Sequence, residues 1–141
     1  MSKIPPDLLA EWNIVVADDE EDSLELARYV LDFYGAHVHT AVDGNDAFEA
    51  IERVRPHFVI SDLSMPVVDG WELIRRLKET PELRDIPVIA LTAYALKSDA
   101  NRAIAAGFHN YLTKPLTVDT FMDQLISLLI AIPELGSLLR L

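Results

Sequence analysis

The sequence predicts a doubly wound α/β domain, in which helices cover both faces of a five-stranded parallel sheet. Short apolar runs rich in β-formers alternate with longer segments of helical periodicity, five times along 141 residues. Strands that are joined by helical crossovers pair in parallel, and the handedness of the crossovers places helices on both faces. The length suits one domain of ordinary size with its own hydrophobic core.

In the first half of the chain, two strand–helix units are expected. A continuous apolar run at residues 13–17 indicates a buried strand, and apolar side chains near helical spacing predict a helix over 21–34. An alternating run at 36–41 is typical of an edge strand. Asp43 is placed to cap a helix over 45–54.

The second half continues the same alternation. The predicted elements are a strand at 58–61, a helix at 71–78, a strand at 88–91, a helix at 96–106 and a strand at 110–112. Thr117 is placed to cap the last helix, whose apolar residues form a single stripe.

Three segments are expected: an N-terminal extension of residues 1–12, a domain over 13–131 and a C-terminal tail over 132–141. Trp12 should anchor the extension to the domain. The tail is apolar for a chain end, so two alternatives stay open: it packs back onto the domain, or it contacts a partner.

Composition narrows the classes of function. With 23 acidic and 12 basic residues, the formal charge is −11, which disfavours direct binding to nucleic acid or anionic lipid. The absence of cysteine excludes disulfides and thiolate chemistry. The longest apolar stretch is too short to cross a bilayer, so we expect no membrane insertion and a cytoplasmic location.

Reactive side chains follow the carboxyl ends of four predicted strands. Asp18 and Asp19 follow the first strand, Asp62 the third and Thr92 the fourth, and Lys114 lies just beyond the fifth. In the flavodoxin-like strand order 2-1-3-4-5, the first and third strands are neighbours, so the three carboxylates should converge. Carboxylates at this spacing repel unless a cation neutralises them, and Mg²⁺ is the hard divalent ion best suited to oxygen ligands.

This set of side chains suits phosphoryl transfer. Lys114 supplies a compact positive charge, Thr92 a hydroxyl donor, and a carboxylate can become an aspartyl phosphate. Each feature taken alone is an ordinary helix cap, turn former or loop residue. Their coincidence at the strand ends is what favours a functional site.

Several ordered motifs give the chain a resemblance to the receiver domains of two-component response regulators, from about Asn13 to Leu129. The segments that carry it are the pair Asp18-Asp19, DLSMPVVDG at 62–70, LTAYA at 91–95 and GFHNYLTKPL at 107–116. The resemblance implies a stand-alone receiver with an output through protein contact.

The resemblance implies a role for each acidic position. Asp62 would accept the phosphoryl group. Asp19 and Asp62 would ligate Mg²⁺ directly, Asp18 would act through bound water, and the backbone carbonyl of Ser64 would be a third protein ligand.

The resemblance also implies a switch. Thr92 would bond a phosphoryl oxygen and Lys114 would pair with the phosphoryl group, while Tyr111 would turn inward when Thr92 moves. The alternative for Tyr111 is a partly buried tyrosine that never moves. The bond before Pro115 would be cis.

Two residues are expected to affect the lifetime of the phosphorylated state. Ser64 and Tyr94 each lie two positions after a key residue and should border the path of attacking water. A bulky Tyr94 would shield the acyl phosphate and slow its hydrolysis, whereas a surface tyrosine without kinetic effect is the alternative.

The implied partners are a histidine kinase or phosphotransfer protein and a downstream protein target. Beyond its own phosphorylation and dephosphorylation, no enzymatic activity is expected, and homodimerisation on phosphorylation stays open. The chain could also be a receiver excised from a hybrid kinase or larger regulator.

Two other classes are disfavoured. A haloacid-dehalogenase-like phosphatase needs a second aspartate two residues after its nucleophile, where this chain has Ser64. A flavin-binding carrier needs a phosphate-binding loop after the first strand, where the acidic run 18–22 would repel phosphate.

Overall fold

The computed structural model describes residues 4–93 and 97–139, apart from the side chains of residues 97 and 98. The strands are β1 (Asn13–Ala17), β2 (His37–Ala41), β3 (Phe58–Asp62), β4 (Val88–Thr92) and β5 (Asn110–Thr113). The helices are α1 (Glu21–Phe33), α2 (Gly44–Val54), α3 (Gly70–Glu79), α4 (Lys97–Ala106), α5 (Val118–Ile130) and the short α6 (Pro133–Gly136).

The five strands form one parallel sheet in the order β2-β1-β3-β4-β5, which confirms the predicted fold class. In this order β1 and β3 are neighbours, and the connections that follow them run in opposite directions across the sheet, from β1 to β2 and from β3 to β4. Ala17 lies opposite Ser61, so the residues that follow them, Asp18 and Asp62, start from neighbouring positions. The register alone thus brings two acidic residues to one place at the carboxyl edge.

Each face of the sheet has its own hydrophobic layer, because successive strand residues point to opposite faces. Ile14 and Val16 of β1 contribute to the layer under α1 and α5. Val15 and Ala17 contribute to the layer under α2, α3 and α4. All the strand residues of β3 and β4 are buried, as expected for central strands of a parallel sheet.

Both ends of the described chain pack on the layer under α1 and α5. Leu8 and Leu9 are fully buried, and Trp12 stacks on His57 with ring centroids 5.1 Å apart, so Trp12 anchors the N-terminal segment as predicted. At the other end, Leu135 of α6 is buried in the same layer. Of the two alternatives for the tail, the described part therefore packs back onto the domain.

Each predicted element boundary that falls on the described residues agrees with the observed one or differs from it by one residue, but one predicted contact was wrong. Thr117 occupies the N-cap position of α5, but its side chain makes no capping hydrogen bond. Its hydroxyl instead pairs with the hydroxyl of Thr120 at 2.6 Å. The Asp43 cap is confirmed, since its carboxylate accepts from the N–H of Asp46 at 2.8 Å. Among the described helices, none is both long and apolar enough to cross a bilayer.

Candidate functional site

At the carboxyl edge of the sheet, Lys114 draws together carboxylates from two strands. Its Nζ lies 2.8 Å from Asp62 Oδ2 and 3.1 Å from Asp18 Oδ2. The backbone N–H of Lys114 donates to the backbone carbonyl of Thr92 at 2.8 Å, so the start of the β5–α5 loop is bonded to the end of β4. The bond between Lys114 and Pro115 is cis. The structure thus brings together three of the side chains that the sequence placed at the strand ends.

The carboxylate of Asp62 is held at both oxygens. Oδ1 accepts from the backbone N–H of Ser64 at 3.0 Å, and Oδ2 accepts from Lys114. Gly70 packs against the backbone behind it: a Cβ at this position would lie 2.3 Å from the Asp62 carbonyl oxygen and 2.8 Å from Leu63 Cα. No side chain fits there, so the glycine lets the N-terminus of α3 approach the backbone of Asp62 closely.

The loop between β3 and α3 is also held by a tight turn at Val67 and by a hydrogen bond from Gly44. Val67 has a φ of 66°, and the N–H of Val68 donates to the carbonyl of Pro66 at 2.7 Å, which closes a three-residue turn. The Gly44 N–H donates to the Val68 carbonyl at 2.7 Å. A β-branched residue in the left-handed region is strained, and here it sits in the loop that follows Asp62.

Asp18 is the most deeply buried acid of the site, with no exposed side-chain surface. Oδ1 accepts from the N–H of Glu20 at 2.9 Å. Oδ2 makes no hydrogen bond of acceptable geometry, although Lys114 Nζ is near enough to attract it electrostatically. Burial, opposed in part by the Glu20 N–H and reinforced by the neighbouring Asp62, raises the pKa of Asp18 to about 6.

The structure adds a residue that the sequence analysis missed. The Glu20 carboxylate pairs with Lys114 Nζ, so the ammonium has three acidic partners. Burial lowers the pKa of Lys114, but hydrogen bonds to Asp62, Glu20 and Asp18 outweigh it and hold the pKa above its ordinary value. The acidic run 18–22 was the available signal, but it does not show which acid turns toward the lysine.

Three more of the expected residues line a cavity of about 560 Å³ around Asp62. Asp19 lies on its exposed rim, and the buried Thr92 and the exposed Ser64 also line it. Tyr94, which was expected to affect the phosphorylated lifetime, lies outside the described residues.

One wall of this cavity carries an aromatic and cationic pair. The Arg102 guanidinium lies 4.3 Å from the ring centroid of Trp71, and Trp71 packs edge-on against Phe108 at 6.0 Å. Trp71 packs against the core layer under α2, α3 and α4 and also lines the cavity. This pair connects α3 to α4 beside Asp62.

Tyr111, the expected switch residue, lies on β5 away from this cavity. It is half-buried, packs against the layer under α2, α3 and α4, and lines a second cavity of about 400 Å³ between β5 and α5. In the register of the sheet, Tyr111 lies opposite Ala90, two residues before Thr92 on the neighbouring strand β4.

The donor set suits a hard divalent cation. One carboxylate oxygen from each of Asp18, Glu20 and Asp62 lies within 4.8 Å of the others. Oxygen donors of this kind are what Mg²⁺ prefers, and the buried Asp18 Oδ2 has a hydrogen-bonding capacity that the protein leaves unused. Asp19, which the resemblance implies as a direct ligand, is outside this group and lines the rim of the cavity.

Comparisons with known proteins agree on the family. A family model described as the response regulator receiver domain matches residues 14–126. Among curated relatives, the polar-differentiation response regulator DivK of Brucella anthropi is 32% identical over 117 residues, which cover 83% of this chain and 95% of DivK.

Solved structures give the same result. The chemotaxis response regulator CheY4 of Vibrio cholerae matches with a TM-score of 0.79 and 25% identity, covering 85% of this chain and all of that one. The receiver domain of the sensor histidine kinase PA1611 from Pseudomonas aeruginosa matches with a TM-score of 0.74 and 30% identity, covering 84% and 97%. That structure has a magnesium ion coordinated in its active-site cleft.

Proposed function

Since the chain belongs to the response regulator receiver domains of two-component signalling, we propose that it accepts a phosphoryl group on Asp62 and thereby switches a protein-binding face. The observation that carries the proposal is the pairing of the Asp62 carboxylate with Lys114 at the edge of an open cavity. One oxygen of Asp62 is oriented by a backbone N–H, and the other faces a cation. The group is thus oriented as a nucleophile and has a countercharge beside it.

The transfer forms one bond and breaks one bond. An oxygen of the Asp62 carboxylate bonds to phosphorus, while the bond from phosphorus to a donor nitrogen or oxygen breaks and its electron pair stays on the donor. Lys114 stabilises the charge on the phosphoryl oxygens, and the Thr92 hydroxyl donates to one of them. Water attack on the acyl phosphate later releases inorganic phosphate and restores the carboxylate.

We propose Mg²⁺ as the cofactor, held directly by Asp19 and Asp62 and through bound water by Asp18, with the Ser64 carbonyl as a further ligand. When bound, the ion would neutralise charge on the transferring phosphoryl group. The related PA1611 receiver, which has a magnesium ion in its cleft, supports this assignment. Asp19 lines the rim of the same cavity as Asp62, which is consistent with its proposed role as a ligand.

The proposed switch depends on new negative charge beside Asp62. A phosphoryl group brings close to two negative charges and strong acceptor oxygens, which attract Lys114 and the Thr92 hydroxyl. Movement of Thr92 would free space beside β4 into which Tyr111 could turn, and the face made by β4, β5 and their helices would change shape. Tyr111 borders both the core layer and the second cavity, so its ring has two environments within reach.

The proposed phosphodonor is a histidine kinase or phosphotransfer protein, and the proposed output is contact with a downstream protein. We place the protein in the cytoplasm and assign it no catalysis beyond its own phosphorylation and dephosphorylation. The same chemistry serves whether the domain works by itself or within a larger regulator or hybrid kinase.

The test is phosphorylation by acetyl phosphate with Mg²⁺, followed by intact-mass measurement. We expect a gain of one phosphoryl mass that is absent in Asp62→Asn and that needs the divalent ion. Asp69→Asn is the matched control, because Asp69 also lines the cavity but caps α3 through the Glu72 N–H. Labelling that persists in Asp62→Asn would contradict the proposal, and sustained turnover of phosphate esters would favour a phosphatase.

A further inference from the structure

Glu20 contacts both cationic and anionic parts of the site, although the mechanism above gives it no role. Its carboxylate is 62% exposed and pairs with Lys114, while its backbone N–H donates to Asp18 Oδ1. The other two partners of Lys114, Asp18 and Asp62, are almost completely buried. Glu20 is therefore the solvent-facing end of an otherwise buried ion cluster.

Lys114 contacts carboxylate oxygens that a divalent cation would also need. Its Nζ lies close to Oδ2 of both Asp18 and Asp62, which are the oxygens available to a metal ion. Binding of a divalent ion is then an exchange, in which the ammonium must give up some of its contacts. A lysine can do this by rotating its flexible stem, because its charge is compact and its donors are not fixed in a plane.

The exposed carboxylate of Glu20 favours the divalent ion in this exchange through two effects that add. It contributes a third negative charge to a cluster that has one ammonium, which favours an incoming cation. It also gives Lys114 a partner at the rim, so the ammonium can leave Asp62 without losing its last ion pair. If that charge is removed, Lys114 settles on the buried carboxylates and competes more strongly for them.

We propose that Glu20 is a positioning residue that draws Lys114 toward the rim of the cavity and so favours Mg²⁺ at Asp18 and Asp62. The inference rests on the proposed function, because it concerns the same site. It assigns Glu20 a role through the lysine, separate from any direct contact with the ion.

The test is calorimetric titration of the full chain with Mg²⁺ at pH 7.5. Glu20→Gln should raise the Kd about three- to tenfold, the range expected for a partly screened charge acting on a divalent ion. The matched control is Glu21→Gln, which removes the same charge from the next position. Glu21 is exposed and has no contact with Lys114, so its variant should change the Kd less than about twofold.

A second pair of variants isolates the part played by Lys114. In a Lys114→Met background the competing ammonium is gone, so Glu20→Gln should raise the Mg²⁺ Kd by a smaller factor, about twofold. Thermal unfolding verifies that each variant is folded. Equal factors with and without the lysine would overturn the inference, as would a Glu20→Gln titration that matches Glu21→Gln.

Acetyl phosphate labelling separates this inference from the proposed function. In Glu20→Gln, the Mg²⁺ concentration for half-maximal labelling should rise more than the maximal rate falls. If Mg²⁺ affinity is unchanged in the variant while Asp62 is labelled normally in the unmodified chain, the inference fails and the proposed function stands. If Glu20→Gln weakens Mg²⁺ binding but the unmodified chain takes no phosphoryl group, the proposed function fails instead.

Discussion

Replacing the buried Asp18 with asparagine should stabilise the protein when no divalent ion is present. In the folded state, burial and the neighbouring Asp62 raise the pKa of Asp18 from the ordinary 3.8 to about 6. At about 1.4 kcal/mol per pH unit, this difference corresponds to about 3 kcal/mol of unfavourable free energy at neutral pH. Asparagine carries no charge, keeps an oxygen that can accept from the Glu20 N–H and has nearly the same size.

The raised pKa already includes the attraction by Lys114, so the loss of that contact is not subtracted again. Part of the gain is offset for another reason, because the amide NH₂ of asparagine would replace Oδ2 beside the Lys114 ammonium, 3.1 Å away, as a buried donor without an acceptor, at a cost of about 1 to 2 kcal/mol. We therefore expect Asp18→Asn to raise the free energy of unfolding by about 1 to 2 kcal/mol at pH 7.5 in the presence of a chelator. Urea denaturation followed by circular dichroism measures this quantity.

The pH dependence of folding stability gives the sign of the Asp18 contribution independently. Since the folded-state pKa of Asp18 lies above the unfolded one, the folded state binds more protons between pH 3.8 and about 6. The contribution of Asp18 to stability is fully present below this window and is lost as the pH rises through it. In Asp18→Asn, this part of the fall in stability should be absent.

Asp22→Asn is the control, because Asp22 is an exposed acid in the first turn of α1 and its replacement makes the same change in charge. Added Mg²⁺ should reverse the order, since it stabilises the unmodified chain more than Asp18→Asn. The reasoning is refuted if Asp18→Asn is no more stable than Asp22→Asn in chelator, or if it keeps the same loss of stability between pH 4 and 6.

Three further substitutions test the packing around the site, each by urea denaturation. Gly70→Ala should cost about 2 kcal/mol or more, because the new Cβ would lie 2.3 Å from the Asp62 carbonyl oxygen, and an unchanged stability would contradict the observed approach. Val67→Asn should add about 1 kcal/mol, since asparagine tolerates the φ of 66° better than a β-branched residue; a loss would show that the turn is unstrained. Leu135→Ala should lower the free energy of unfolding by about 2 to 4 kcal/mol, because Leu135 is buried. The control Leu138→Ala, at a half-exposed position, should lower it much less. Equal effects of the two substitutions would argue against a docked tail.

Topology made the centre of the site predictable from the sequence. Residues that directly follow parallel strands must lie at one edge of the sheet, so Asp18, Asp62 and Lys114 could be placed together before any contact was known. The alternation of elements and their hydrophobic periodicity predicted a parallel, doubly wound sheet, whereas the strand order was taken from the flavodoxin-like arrangement of such sheets.

What the sequence could not provide were choices among locally equivalent residues. Glu20 stands in a run of five acids, and only the start of α1 decides which of them turns toward Lys114. Thr117 has the residue type of a cap, yet the hydroxyl of Thr120 competes for it. The strained φ of Val67 likewise arises from the turn around it and has no local signature in a β-branched residue.

The ion cluster closes over long stretches of chain, since Lys114 lies 96 residues from Asp18 and 52 from Asp62. Contacts of such range close long loops of the chain, and each closure has an entropic cost. A partly folded chain in which β5 has not docked would hold the acids without their countercharge, and they would repel one another. Docking of β5 and the charge balance of the acidic cluster are thereby coupled, so a substitution that loosens this edge strand should also perturb the site at the carboxyl edge of the sheet.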